Sequence, residues 1–154
     1  MHAGSSLELK VPPPVVGLVI ATLMWLASSH VPRFEMMSSS LLVLLFAAAG
    51  VSCDFAGLWA FRRKRTTVNP MAPQKTSAIV DIGIYRFTRN PMYLGMMFML
   101  CGWAMHLSSL WLLCGPLVFL LYIDRFQIVP EERALSSRFG KEYEAYRRRV
   151  RRWL

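Results

Sequence analysis

The sequence predicts an all-α fold, a polytopic membrane protein with four transmembrane helices and a C-terminal amphipathic cytoplasmic helix. Three observations predict it. Of 154 residues, 55% are hydrophobic and 18% charged, whereas soluble domains carry nearer a quarter charged residues. Four long stretches contain no Lys or Arg. The 18 basic residues, twice the 9 acidic ones, crowd after the second stretch and after the fourth. Such composition excludes a disordered chain, and three cysteines are too few for a disulfide scaffold.

Span one covers residues 14–29 and carries no charge. Span two, residues 39–61, has a single charged residue, Asp54. Spans three and four, residues 91–107 and 109–124, are separated by a tight turn at Leu107, Ser108 and Ser109. About 20 residues cross a hydrocarbon core; span two does so easily, and the shorter ones draw on flanking residues or a thinner bilayer. Pro91 suits the first position of span three, where a missing N–H costs nothing, and Asn90 is then its expected N-cap.

Residues 62–90 and 125–154 are the polar segments. The first opens on Arg62, Arg63, Lys64 and Arg65, turns around Asn69 to Pro73, and reaches span three through a short helix or turn within residues 77–88. The second begins Pro130-Glu131-Glu132, a helix start with acids near the positive dipole end. Leu135, Phe139, Tyr143, Tyr146 and Val150 then recur at helical spacing as one apolar stripe. With both termini cytoplasmic, all positive charges except Arg33 lie inside, as the positive-inside bias requires. The basic excess is thus a topology signal and an attraction to anionic headgroups, and nucleic-acid binding is not expected. Residues 15–26 resemble a signal-peptide core, but Glu8 and three prolines argue against cleavage.

Cys53, Cys101 and Cys114 fall within spans as packing residues. No His, Cys or acid spacing suits a metal, and no CxxC, HExxH, GxGxxG or P-loop occurs. Asp54 stands about 10 Å along span two from its charged end by helical rise. An acid there is costly unless it faces a polar cavity, so Asp54 is a candidate cavity wall.

Two motifs remain: Arg89-Asn90-Pro91-x-Tyr93-x-Gly95 at the start of span three, and Glu131-Glu132 after span four, followed by Phe139-Gly140-Lys141-Glu142-Tyr143. Together they resemble the integral-membrane methyltransferases of the isoprenylcysteine carboxyl methyltransferase and phospholipid methyltransferase group. The likeness runs over residues 81–154. It departs at Asn90, where the family has His; Asn can hydrogen-bond but not titrate.

The resemblance implies one methyltransferase-like domain over residues 1–154. It implies an enzyme that transfers a methyl group from S-adenosyl-L-methionine to a lipophilic acceptor arriving through the bilayer, with S-adenosyl-L-homocysteine as product. Cofactor-binding residues would be Arg89, Asn90, Pro91, Tyr93, Gly95, Glu131 and Glu132, with Asp54, Phe139 and Tyr143 as cavity wall or lid. No residue is singled out as catalytic, since methyl transfer needs alignment and exclusion of water more than an acid or base. Chemically, the two glutamates suit the cofactor's ammonium, Arg89 its carboxylate, and Tyr93 its adenine or sulfonium. The acceptor stays open among a prenylcysteine carboxylate, an aminophospholipid and a small hydrophobic thiol. Rival readings are an NADPH-dependent membrane reductase of the sterol reductase type and a non-enzymatic small subunit or transporter. Small size and the lack of an Asn-x-Ser/Thr sequon lean towards a bacterial inner membrane.

Overall fold

The computed structural model describes residues 8–34, 40–67, 69, 71–73 and 76–154. Ser39, Pro70 and Lys75, which belong to the predicted span two and its following loop, lie outside them. The described residues are helical apart from turns and one isolated bridge, between Thr88 and Arg151. Helix α1 is Pro13–Ala27, α2 Ser40–Lys64, α3 Pro91–His106, α4 Cys114–Ile123, α5 Val129–Phe139 and α6 Lys141–Arg149. Two helical runs are long and apolar enough to cross a membrane, Ser40–Lys64 and the continuous Leu110–Phe139; α1 is shorter, at 15 residues, and α3 has 16.

The apolar residues point outward as much as inward. Leu18, Leu23, Leu41, Leu44, Phe55, Leu117 and Leu121 are all exposed, and only 11% of the most apolar stretch of α2 is buried. The core helix of a soluble protein would hide that surface. Inside the bundle, Ile20 and Met24 of α1, Leu100 and Ala104 of α3, and Phe119 and Ile123 of α4 form the main core. Trp103 donates its indole N–H to the Ala21 carbonyl at 3.0 Å, tying α3 to α1.

Helices α2 and α3 approach most closely through small residues. A Cβ at Gly95 would lie 2.8 Å from the Gly50 carbonyl oxygen and 2.6 Å from Asp54 Oδ1. Such backbone proximity is how helices associate where burial in lipid supplies little driving force. The predicted turn between spans three and four forms as expected, with Ser108 in the left-handed region. Ser109, fully buried, donates its hydroxyl to the Pro32 carbonyl at 2.8 Å.

Two expectations need correction. The helix of span four does not stop and restart at Pro130. It runs on from α4 through a π-wound turn, Asp124–Ile128, into α5. Proline within a helix removes an N–H and crowds the carbonyl four residues back; the wider turn gives that room. The carbonyl concerned, Phe126, accepts instead from the Leu9 N–H at 3.1 Å. The C-terminal amphipathic helix is in turn two helices, because Gly140 takes φ +49 between α5 and α6. Its apolar stripe survives the break: Tyr143, Tyr146 and Val150 are buried on Ile79 of the 62–90 segment, with Leu135 and Phe139 packed beside them.

Candidate functional site

A cavity of about 430 Å³ opens at the charged end of the bundle. Apolar walls come from Pro12 and Pro13 before and within α1, Phe61 of α2, Met92 and Met96 of α3, Ile128 and Leu135. Polar atoms come from Arg89, Asn90, Tyr93, Glu131, Glu132, Tyr143 and Tyr146. The two sequence motifs, some 40 positions apart, therefore face one space. Pro91 is buried as the first residue of α3 beside that space.

The adjacent glutamates do different things. Successive helical residues diverge by about 100°, so one carboxylate turns to α3 and the other away. Glu131 Oε1 accepts from the Tyr93 hydroxyl at 2.6 Å and from Gln127 Nε2 at 2.7 Å. Among the described residues no Lys or Arg forms an ion pair with it. Glu132 is claimed from two sides. Arg89 Nη2 reaches its Oε1 at 2.7 Å, and Arg152 Nη2 its Oε2 at 2.6 Å. Arg152 also pairs with Asp124 of the π-wound turn at 3.0 Å. Hydrogen bonding to Glu132 raises the Arg152 guanidinium still further above its ordinary value, so its charge is permanent.

Arg89 is nine-tenths buried, its side chain 10% exposed. Its Nη1 donates to the Arg147 and Val150 carbonyls, both at 3.1 Å. Its Nε is buried with no hydrogen-bond partner. An unpaired N–H on a buried cation is costly, and it sits in a residue that lines the cavity. Burial holds the phenols around the mouth in their neutral form: Tyr143 is pushed up to about 12, and Tyr85 and Tyr146 are also raised. Tyr146 donates to the Tyr85 carbonyl at 2.9 Å.

Asn90 occupies the N-cap position of α3, yet its side chain caps nothing. Its Nδ2 donates to the Arg152 carbonyl at 2.9 Å, while its own backbone N–H goes to Thr88 Oγ1 at 3.2 Å. The expected cap is thus replaced by a tie to the chain after α6. Asn90→Ala is expected to lower stability by about 1 kcal/mol, the worth of one such bond, measured by thermal unfolding in detergent. No loss would show that the tie carries no weight.

Besides Pro91, three candidates lie outside the cavity lining. Gly95 packs against Gly50 and Asp54. Asp54 therefore lies on the α2–α3 crossing, where its Oδ1 is buried without a partner. Phe139 packs on the Tyr143 and Tyr146 cluster rather than facing the cavity. Sequence reasoning missed Gln127, Asp124 and Arg152. Gln127, only 2% exposed, stands between Phe126 and Ile128 just past the apolar span, and that is a weak signal; Arg152 is hidden in a run of cations. No metal-binding cluster of His, Cys and acids exists among the described residues.

A small α-helical membrane protein with converging charged motifs is the class that fold and site define. Residues 39–142 match the phospholipid methyltransferase family, and the chain belongs to that family. The match takes in α2, where the two motifs had given no likeness. A protein of Haemophilus influenzae described as uncharacterized is 43% identical over 63 residues, which are 41% of this chain and the whole of the relative. No solved structure matches.

Proposed function

We propose that the chain is a methyltransferase that uses S-adenosyl-L-methionine and methylates a lipophilic acceptor arriving from the bilayer. The observation that carries this reading is the pairing of Glu131, a cavity carboxylate with no cationic partner among the described residues, with Arg89, a buried guanidinium with an unpartnered Nε. These complementary ends fit a zwitterionic amino-acid moiety, with the ammonium on Glu131 and the carboxylate on the Arg89 guanidinium. Glu132, saturated by two arginines, is better read as a support than as a direct ligand. When bound, the cofactor supplies a methyl carbon already activated on sulfur.

The chain's own contribution is to bind, orient and keep water away. Tyr93 and Gln127 fix the Glu131 carboxylate. Tyr143, Leu135 and Ile79 close the side of the cavity made by α5, α6 and the 62–90 segment, and exclusion of water strengthens every polar contact within. Pro91 sets the start of α3. Asn90 ties that start to the chain after α6. Gly95 and Asp54 act on the α2–α3 crossing, and Phe139 buttresses Tyr143.

The same reading makes residues 1–154 one domain with four spans, α1 and α3 included, and both termini in the cytoplasm of a bacterial inner membrane. The outward apolar faces of α1 and α4 support the count. The family's description favours a phospholipid among the acceptors, and Met92 and Met96 give the wall an adaptable apolar surface.

Calorimetric titration of detergent-purified protein with S-adenosyl-L-homocysteine, then NADPH, tests the cofactor. The former is expected to bind in the micromolar range or tighter; binding of NADPH alone would move the reading to a reductase. In the same preparation, long-chain acceptors are expected to be methylated far faster than their water-soluble headgroup fragments. Equal rates would overturn access from the bilayer.

A further inference from the structure

Four charged side chains from four segments meet behind the cavity: Arg89 before α3, Asp124 in the π-wound turn, Glu132 in α5 and Arg152 after α6. Their shares are unequal. Arg152 holds both Glu132 oxygens, Oε2 through Nη2 at 2.6 Å and Oε1 through Nε at 3.2 Å. Arg89 holds Oε1 alone, through Nη2. Arg89 lines the cavity, whereas Arg152 lines a shallow depression on the other side of Glu132, with Arg133 and Arg147. Glu132 is thus the wall between a cavity-side arginine and an outer one.

A ligand carboxylate drawn to Arg89 competes with Glu132 for the same guanidinium. Taken alone, that exchange would strip a buried carboxylate of its cation, which is strongly unfavourable. With Arg152 in place, Glu132 keeps a two-point partner throughout. We propose that Arg152 is a positioning residue, the resident counter-ion of Glu132, and that its grip lets Arg89 be re-aimed from Glu132 to an anionic group of the ligand. This rests on the cofactor reading above.

The Arg152 backbone is fastened independently of its side chain. The Arg89 N–H donates to the Arg151 carbonyl at 3.0 Å, and Asn90 Nδ2 and Thr88 Oγ1 donate to the Arg152 carbonyl at 2.9 and 3.2 Å. Trp153 packs on the main core. Changing the side chain therefore leaves the strap attached.

The experiment is calorimetric titration of the full chain in detergent with S-adenosyl-L-homocysteine. Arg152→Gln is expected to bind at least about tenfold more weakly than the parent, and Arg152→Lys about threefold. The double variant Glu132→Gln/Arg152→Gln, which removes the carboxylate along with its counter-ion, is expected to return within about threefold of the parent. A merely structural strap would leave the double variant as weak as the product of the two single losses, and that result overturns the proposal. So does an Arg152→Gln affinity within twofold of the parent. Should Arg152→Gln not fold, the double variant decides, because failure of a folded double variant to bind also overturns it. A parent protein that binds no S-adenosyl-L-homocysteine removes the cofactor reading itself, and this proposal with it.

Discussion

Glu131→Gln is expected to weaken binding of S-adenosyl-L-homocysteine by about 2–5 kcal/mol, the usual cost of losing one partner of a buried charge pair. Gln is nearly isosteric and keeps a carbonyl-type oxygen for the Tyr93 hydroxyl, which sits 2.6 Å from Oε1. The fold should therefore hold while the charge disappears. Glu132→Gln is the contrast. Its carboxylate already serves Arg89 and Arg152, so its loss frees Arg89 rather than depriving the ligand, and affinity should stay within about threefold, or under 1 kcal/mol. Calorimetry on both variants, with thermal unfolding as control, reads the difference. Equal losses would mean that the two glutamates share the ligand. No loss in Glu131→Gln would remove Glu131 from the site.

The second large effect concerns assembly of the bundle. Gly95→Leu is expected to destabilise the protein by about 3 kcal/mol, the upper end of the usual range for overpacking. A Cβ alone would stand 2.8 Å from the Gly50 carbonyl oxygen, which is backbone and cannot swing aside. The remaining isobutyl carbons must then part α2 from α3. Thermal unfolding in detergent measures it, and the parent melting temperature in Gly95→Leu would show that the crossing tolerates separation. Ligand affinity in whatever fraction stays folded should change little, because Gly95 does not line the cavity.

Much of this architecture is legible in the sequence. A run such as Leu41 to Phe61 needs no partner to declare itself, because its apolar surface is meant for lipid as much as for protein. The convergence of Arg89, Tyr93 and Glu131 was legible only through the resemblance, since contact across about 40 positions leaves no mark in local periodicity. That Glu131 and Glu132 part company followed from helical geometry and could have been drawn from the sequence. The role of Asn90 could not. An N-cap is a local competition for nearby N–H groups, and it was lost to a carbonyl 62 positions away. The bend at Gly140 was hidden for the opposite reason: the spacing from Phe139 to Tyr143 continues across it, so the stripe concealed it. Arg152 was one of many cations counted for topology, and counting does not tell a partnered charge from a solvated one.

Pro130 gives the molecule a form of recognition that depends on something missing. In most helices a carbonyl is spoken for by the amide four residues on, and a passing segment finds no vacancy. Here the proline leaves the Phe126 carbonyl unclaimed, and Leu9 takes it. The same encounter brings Glu8 to Arg125 and Arg133, so one neutral bond and two ionic ones hold the segment to that helix. A residue commonly regarded as a helix stop sign thus serves as an address, telling the segment ahead of α1 which turn of a distant helix to join. The wall that Pro12 and Pro13 give the cavity is held in place, at one remove, by an absent hydrogen atom.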